Sequence, residues 1–412
     1  VIFSAGFAVI LVCLTYCQNN RPVILTGEYS IYYNWIQKLF GKRVDYGDAV
    51  YINVYYDREL IPVYREDTQE LKGTTIVTNR KKLYKLLCML HESNQAKYIV
   101  LDIGFDPNEV TEYDDSLFNE IRTIDNIVFA HDNTSELPRT WLKDKSALAV
   151  YRYTIDNTGF SRYEYTDCNG ERYIPTRIYE HFHPSKKIKR YGPWWFSIFF
   201  SGNSLCQNSS YLIFDETTLS EYNDTESMNE SYVAGTTFYN LGEDFITPVE
   251  DSIYTEKEMC EQIGKLTNGK YVVIGNLVQN DNHDTYVGEK PGGLLLMRAL
   301  QTLEEGGNIV SIWQIMGWAL VFFLISIFMD VRFNIRLRVK KCKWFQKYEW
   351  MQYLCEIVCL LFSLVPFTMI VIICNIVSYL CFGKVLNMFL PIMFFTIEKL
   401  YYQYKINKAD EN

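Results

Sequence analysis

The stretch Gly269-Lys270-Tyr271-Val272-Val273-Ile274-Gly275-Asn276, with the residues that follow it, constrains the fold of this chain most. The continuous apolar run Tyr271 to Ile274, closed by a glycine and followed by polar positions, predicts a buried strand that delivers a loop at its carboxyl end. That loop runs through Asp281-Asn282-His283-Asp284-Thr285-Tyr286-Val287-Gly288 to Pro291-Gly292-Gly293. Pro291 has the backbone angle suited to a first helical position. A helix is therefore predicted from there, with Leu294, Leu295, Met297, Ala299, Leu300 and Leu303 on its apolar faces and Gly306-Gly307 at its end. Beyond it, Asn308 to Met329 supplies roughly 20 mostly apolar residues, the length that spans a hydrocarbon core.

Apolar residues are dense at both ends of the chain, a distribution that predicts a membrane protein. Residues 1–17 are expected to be a first span, read as a signal anchor whose true N-terminus lies upstream, with a cleaved signal peptide as the competing reading. Residues 308–330 form a second expected span. Arg332, Arg336, Arg338, Lys340, Lys341, Lys343 and Lys347 follow it, so residues 331–350 are expected as a cytoplasmic loop under the positive-inside rule. Residues 351–382 and 385–404 are the third and fourth expected spans, and 405–412 a cytoplasmic tail. Residues 18–307 would then be one extracytoplasmic domain. The net charge of −9 makes it acidic and a poor nucleic-acid binder.

Within that domain the elements alternate. Ala49 to Tyr55, Tyr98 to Ile103 and Asn126 to Ala130 read as strands; Ile31 to Phe40, Arg80 to Leu90 and Asp114 to Ile121 read as helices. Asp114 or Asp115 is expected to cap the last of these. Alternation of this kind predicts an α/β fold, a parallel-rich mixed sheet with flanking helices. Phe160 to Tyr165 and Arg172 to Thr176 flank Asp167-Cys168-Asn169-Gly170, where Asn-Gly predicts a β-hairpin excursion. Glu216 to Tyr232 reads as an exposed loop.

Asn53-Val54-Tyr55-Tyr56-Asp57, Thr78-Asn79-Arg80, Tyr98 to Phe105 with Asp102, Asp115-Ser116-Leu117-Phe118, Gly269 to Gly275 and the Asp284 to Gly292 loop, in this order and with this layout of spans, resemble the CHASE2 family. The resemblance implies a bacterial inner-membrane sensor. Its domain would be periplasmic and its chain ends cytoplasmic, with one leading and three trailing spans. It would receive a periplasmic ligand or protein and act on a separate cytoplasmic effector, as a homodimer. A structural or regulatory subunit of a membrane complex, and a periplasmic enzyme using acidic residues at the sheet edge, are the alternatives.

Asp57, Arg80, Asp102 and Asp284 fall at strand ends or in loops, where open sheets bind ligands beyond the carboxyl edge, and are the candidate ligand-binding residues. The rival reading is structural, with Arg80 paired to Asp57 or Asp102. Asp281, His283 and Asp284 place three potential metal ligands in one loop, but a hydrogen-bonded loop is the preferred reading, and neither a metal nor any cofactor is expected. His181 and His183 alternate as on a strand and read as surface residues. No Gly-x-Ser-x-Gly elbow and no Gly-Lys-Ser/Thr phosphate loop is present, so the chain is expected not to be an enzyme. Seven of the 11 cysteines, Cys13, Cys17, Cys342, Cys355, Cys359, Cys374 and Cys381, lie in or beside the expected spans, and a Cys168 to Cys206 disulfide is left open.

Overall fold

The computed structural model describes residues 49–64, 71–107, 109–131, 140–149, 162–193, 197–207, 210–211, 232–233, 236–277, 281–285 and 288–340, with isolated positions among 6–9 and 369–377. The expected spans at 1–17, 351–382 and 385–404, the helix at Ile31 to Phe40 and the loop from Glu216 lie wholly or almost wholly outside these residues. The chain divides into two compact units, one of residues 37–188 and 209–308, the other of residues 1–36, 189–208 and 309–412.

In the first unit the strands are β1 (Ala49–Asn53), β2 (Arg58–Tyr64), β3 (Leu71–Thr78), β4 (Tyr98–Asp102), β5 (Ile127–His131), β6 (Ser146–Leu148) and β7 (Arg162–Tyr163). The second unit takes β8 (Ile188–Tyr191), β9 (Ile198–Ser201) and β10 (Ser204–Cys206), an antiparallel sheet. The first unit resumes with β11 (Ser210–Tyr211), β12 (Tyr232–Val233), β13 (Thr236–Asn240), β14 (Tyr271–Gly275), β15 (Asn282–Thr285) and β16 (Gly288–Pro291). Its helices are α1 (Arg80–Ser93), α2 (Asp114–Thr123), α3 (Ile174–Phe182), α4 (Thr247–Glu250), α5 (Glu256–Thr267) and α6 (Gly292–Glu304). Helix α7 (Ile312–Lys340) belongs to the second unit.

The main sheet runs β12-β13-β1-β14-β4-β5-β6. All its pairs are parallel except β12 with β13. Both faces are covered, which is why β1 and β14 are buried at every position and read as unbroken apolar runs. On one face α1, α2 and α5 bring Leu83, Leu87, Leu117, Ile121, Met259 and Ile263 against Ile52, Leu101, Phe129 and Ile274. On the other face lie α3 and α6. Phe182 of α3 meets Tyr271 edge-on with ring centroids 6.2 Å apart, and Gly293 of α6 stands against Val273.

Several local expectations are corrected. Pro291 is the N-cap of α6 and the helix begins at Gly292. Helix α2 is entered from Tyr113, while Asp114 and Asp115 occupy its first turn, where their charges oppose the helix dipole. The Asn169-Gly170 turn exists, with Gly170 at φ +89°, and is closed by the antiparallel bridge Thr166 to Arg172. Its second arm is not a strand, because Pro175 starts α3 there. His181 and His183 therefore lie on the last turn and C-cap of a helix. No disulfide joins Cys168 and Cys206.

The membrane layout is also corrected. Among the described residues no helix is long and apolar enough to cross a membrane. Helix α7 does not stop near residue 330 to hand over to a basic loop. Its backbone stays helical to Lys340, so the positions of Asp330, Arg332, Arg336 and Arg338 belong to the same rod as the apolar run. Of its side chains, Gln314, Phe322 and Ser326 are buried, whereas Ile312, Trp313, Met316, Leu320 and Leu324 are exposed. The expected bilayer and inner-membrane placement rested on that four-span layout, and the cytoplasmic effector, periplasmic ligand and homodimer on the family resemblance that the layout supported. They are set aside with it.

Candidate functional site

Strand β1 leads through the β2–β3 hairpin and α1 to β4, two places away in the sheet, and β14 fills the place between them. The chain leaving β4 turns to the α2 face, whereas the chain leaving β14 turns to the α6 face. Adjacent parallel strands whose connections part in this way leave a crevice beyond their carboxyl ends, the usual ligand position in open α/β sheets. Asp102 and Gly275, the last residues of β4 and β14, are register partners at that point. A Cβ on Gly275 would lie 3.0 Å from the Asp102 carbonyl oxygen, so the two strand ends approach as closely as glycine permits.

Asp102 alternates with Leu101, which faces α1 and α2, so its side chain takes the α6 face. Its Oδ2 lies 3.9 Å from the position a Cβ on Gly293 would hold, and a Cβ on Gly292 would lie 2.4 Å from Asp281 Oδ2. Two carboxyl groups therefore flank the first turn of α6, and the Gly292–Gly293 pair makes room for them. Backbone geometry fixes the loop as well, since the Gly292 amide donates to the Asp281 carbonyl at 2.9 Å.

The two carboxyls differ in environment. Asp281 is half-buried and its Oδ1 lies 3.1 Å from His283 Nε2. Solvent reaches part of Asp102, yet burial strips enough water from its carboxyl, with the nearby Asp281 charge adding to the effect, to push it up to about 8. Among the described residues no group donates a hydrogen bond to it. Lys290 is the register partner of His283 across the β15–β16 hairpin; it is buried, and loss of hydration pushes its ammonium down to about 8.

The other sequence candidates are not brought to this crevice. Asp57 is buried, with Oδ2 accepting from the Gly242 amide and Oδ1 from Lys82 Nζ, both at 2.7 Å. These contacts join the hairpin and α1 to the π-helix Leu241–Ile246. A Cβ on Gly242 would lie 2.2 Å from Asp57 Oδ1. The Gly242→Ala variant is accordingly expected to lose about 2 kcal/mol in urea unfolding, because the methyl group displaces the carboxylate from both donors. Arg80 pairs with neither Asp57 nor Asp102. Its Nε lies 3.7 Å from Asp114 Oδ1 and its guanidinium stacks 4.4 Å from the Phe105 ring centroid. Asp284 is not in an open loop but in β15, opposite Glu289.

Sequence reasoning singled out Asp102 and read Asp281, His283 and Asp284 as a hydrogen-bonded loop in preference to a metal site, without linking Asp281 to Asp102. Among the described residues no group of three or more potential ligands gathers around a metal position, and Asp281 and His283 instead bond to each other. The one signal for Asp281 as a partner of Asp102 is the Pro-Gly-Gly start of α6, which implies a close approach without naming what approaches.

The fold and site define an α/β domain with two carboxyl groups, Asp102 and Asp281, beside the first turn of α6 at the carboxyl ends of its central parallel strands. No family model matches the chain, and no curated protein and no solved structure matches it either. The resemblance to CHASE2 domains is corrected on that finding, and the sensor function it implied goes with it.

Proposed function

We propose that the chain is a ligand-binding α/β module, without catalytic turnover, that takes a small donor-rich polar molecule in the crevice at the carboxyl ends of β4 and β14. The observation that carries the reading is the Asp102 carboxyl. It is partly reached by solvent, sits at the point where the strand connections diverge, and accepts nothing from the described residues around it. A carboxyl placed so has unused acceptor capacity, which a hydroxyl or ammonium group supplied from outside would fill. Asp281, oriented by His283, supplies a second acceptor beside it. Asp57 and Arg80 serve this reading as structural supports of the crevice wall, since their polar groups face other parts of the fold.

The test is isothermal calorimetry on the full chain with an aliphatic diamine, a monosaccharide and a dicarboxylate. Binding of the diamine or the sugar, weakened at least about tenfold by Asp102→Ala, is expected; each tenfold change corresponds to about 1.4 kcal/mol. Preferential binding of the dicarboxylate, or affinity indifferent to Asp102→Ala, would refute the assignment.

A further inference from the structure

We propose that Asp102 and Asp281 form a proton-operated latch on the first turn of helix α6: with Asp102 neutral the turn stays seated on the ends of β4 and β14, and with Asp102 ionised it lifts. This inference concerns the crevice assigned above but needs no ligand, so it stands or falls separately from the binding role.

The geometry supplies the mechanism. Gly292 and Gly293 bring the helix backbone so close that any side chain at either position would overlap its neighbours, Asp281 at one and Val273 and Leu277 at the other. The Asp102 carboxyl lies at the edge of this contact and belongs to a strand whose other residues are buried. Seated, the turn leaves little space for the water that a carboxylate requires. Loss of the Asp102 proton to solvent produces two like charges against one helical turn, and parting the turn from the strand ends lets water in to both.

The surrounding charges leave this pair to itself. Asp281 is the charge that Asp102 feels. His283 is engaged with Asp281, and Lys290 lies across the hairpin from His283. Strand β14 and the first turn of α6 contain no ionisable side chain apart from Tyr271, at the far end of the strand. On the neighbouring elements His131 is bonded to Glu171, Arg177 donates to the Asp144 carbonyl, and Glu180 pairs with Arg172. The upward displacement of Asp102 to about 8 places the transition in a readily measured range.

Hydrogen exchange on the full chain tests the latch. The informative amides are Leu296 and Met297, whose α-helical acceptors are the carbonyls of Gly292 and Gly293. After correction for intrinsic exchange, their protection is expected to fall as pH rises from about 4 to about 8 and to level off above that, by at most tenfold per pH unit, the limit for release of one proton. Asp102→Asn should abolish the fall. Asp281→Asn, which removes the repelling charge, should move its midpoint to lower pH and provides the reading should the first variant not fold. Protection that is independent of pH in the wild-type chain would overturn the proposal. So would an unchanged fall in Asp102→Asn, or an unmoved midpoint in Asp281→Asn.

Discussion

Replacing Asp102 by asparagine is expected to stabilise the protein, and to do so only toward neutral and alkaline pH. Asparagine keeps the shape of the side chain and removes its charge, and no hydrogen bond from the described residues is lost. The sign follows from the direction of the shift. In the folded chain the Asp102 carboxyl is raised to about 8, against an ordinary value of 3.8. Between those values the folded state holds a proton that the unfolded chain releases, so wild-type stability falls as pH rises through that interval and levels off above it. Each pKa unit corresponds to about 1.4 kcal/mol. Allowing for solvent that reaches part of the side chain, the gain in Asp102→Asn is expected to be about 3 kcal/mol near pH 8 and close to zero near pH 4. Urea unfolding of both proteins at the two pH values measures it. An equal difference at both, or a loss at the higher, would show that the carboxyl is not stripped of water.

That result bears on how much of the crevice was legible in the chain. The carboxyl end of β4 was legible to within one residue, Ile103 in the sequence reading against Asp102 in the structure, because the run Tyr98 to Leu101 is buried at every position and bounded by polar residues. The same local logic recovered β1, β5, β14, α1 and α6 to within a few residues. Asp281 escaped as a partner because its nearness to Asp102 depends on β14 lying beside β4, a pairing between segments some 170 residues apart that no local pattern encodes. The β2–β3 hairpin was missed for a different reason. It pairs with no other described strand and exposes Leu60, Leu71 and Ile76, so its alternation is blurred, and Pro62 breaks the strand signature. Helix α3 was lost to an Asn-Gly turn that dominated the reading of its neighbours. In contrast, the capping box of α5, Thr255 with Glu258, was readable and simply not used.

Arg80 shows where sequence and structure part most instructively, and the second large effect is expected there. A buried arginine near a sheet edge invites an anion-binding reading, but Glu59, Glu109 and Asp114 surround it and an anion would meet their field. Burial lowers its pKa, with those carboxylates acting in the opposite direction. Nε and Nη1 make no hydrogen bond, whereas Asp114 is satisfied without it, accepting from Thr111 Oγ1 at 2.8 Å and from the Thr111 amide at 3.2 Å, in the first turn of α2. Packing against Phe105, not charge, is therefore the main contribution of this side chain. Arg80→Ala should destabilise by about 3 kcal/mol, because it empties the volume over the Phe105 ring. Arg80→Met refills that volume without two unsatisfied donors and should recover most of the loss. Chemical unfolding of the two variants side by side distinguishes the causes. Were the methionine variant as unstable as the alanine variant, the guanidinium charge would be what holds the hairpin, α1 and α2 together, and the surrounding carboxylates would depend on it.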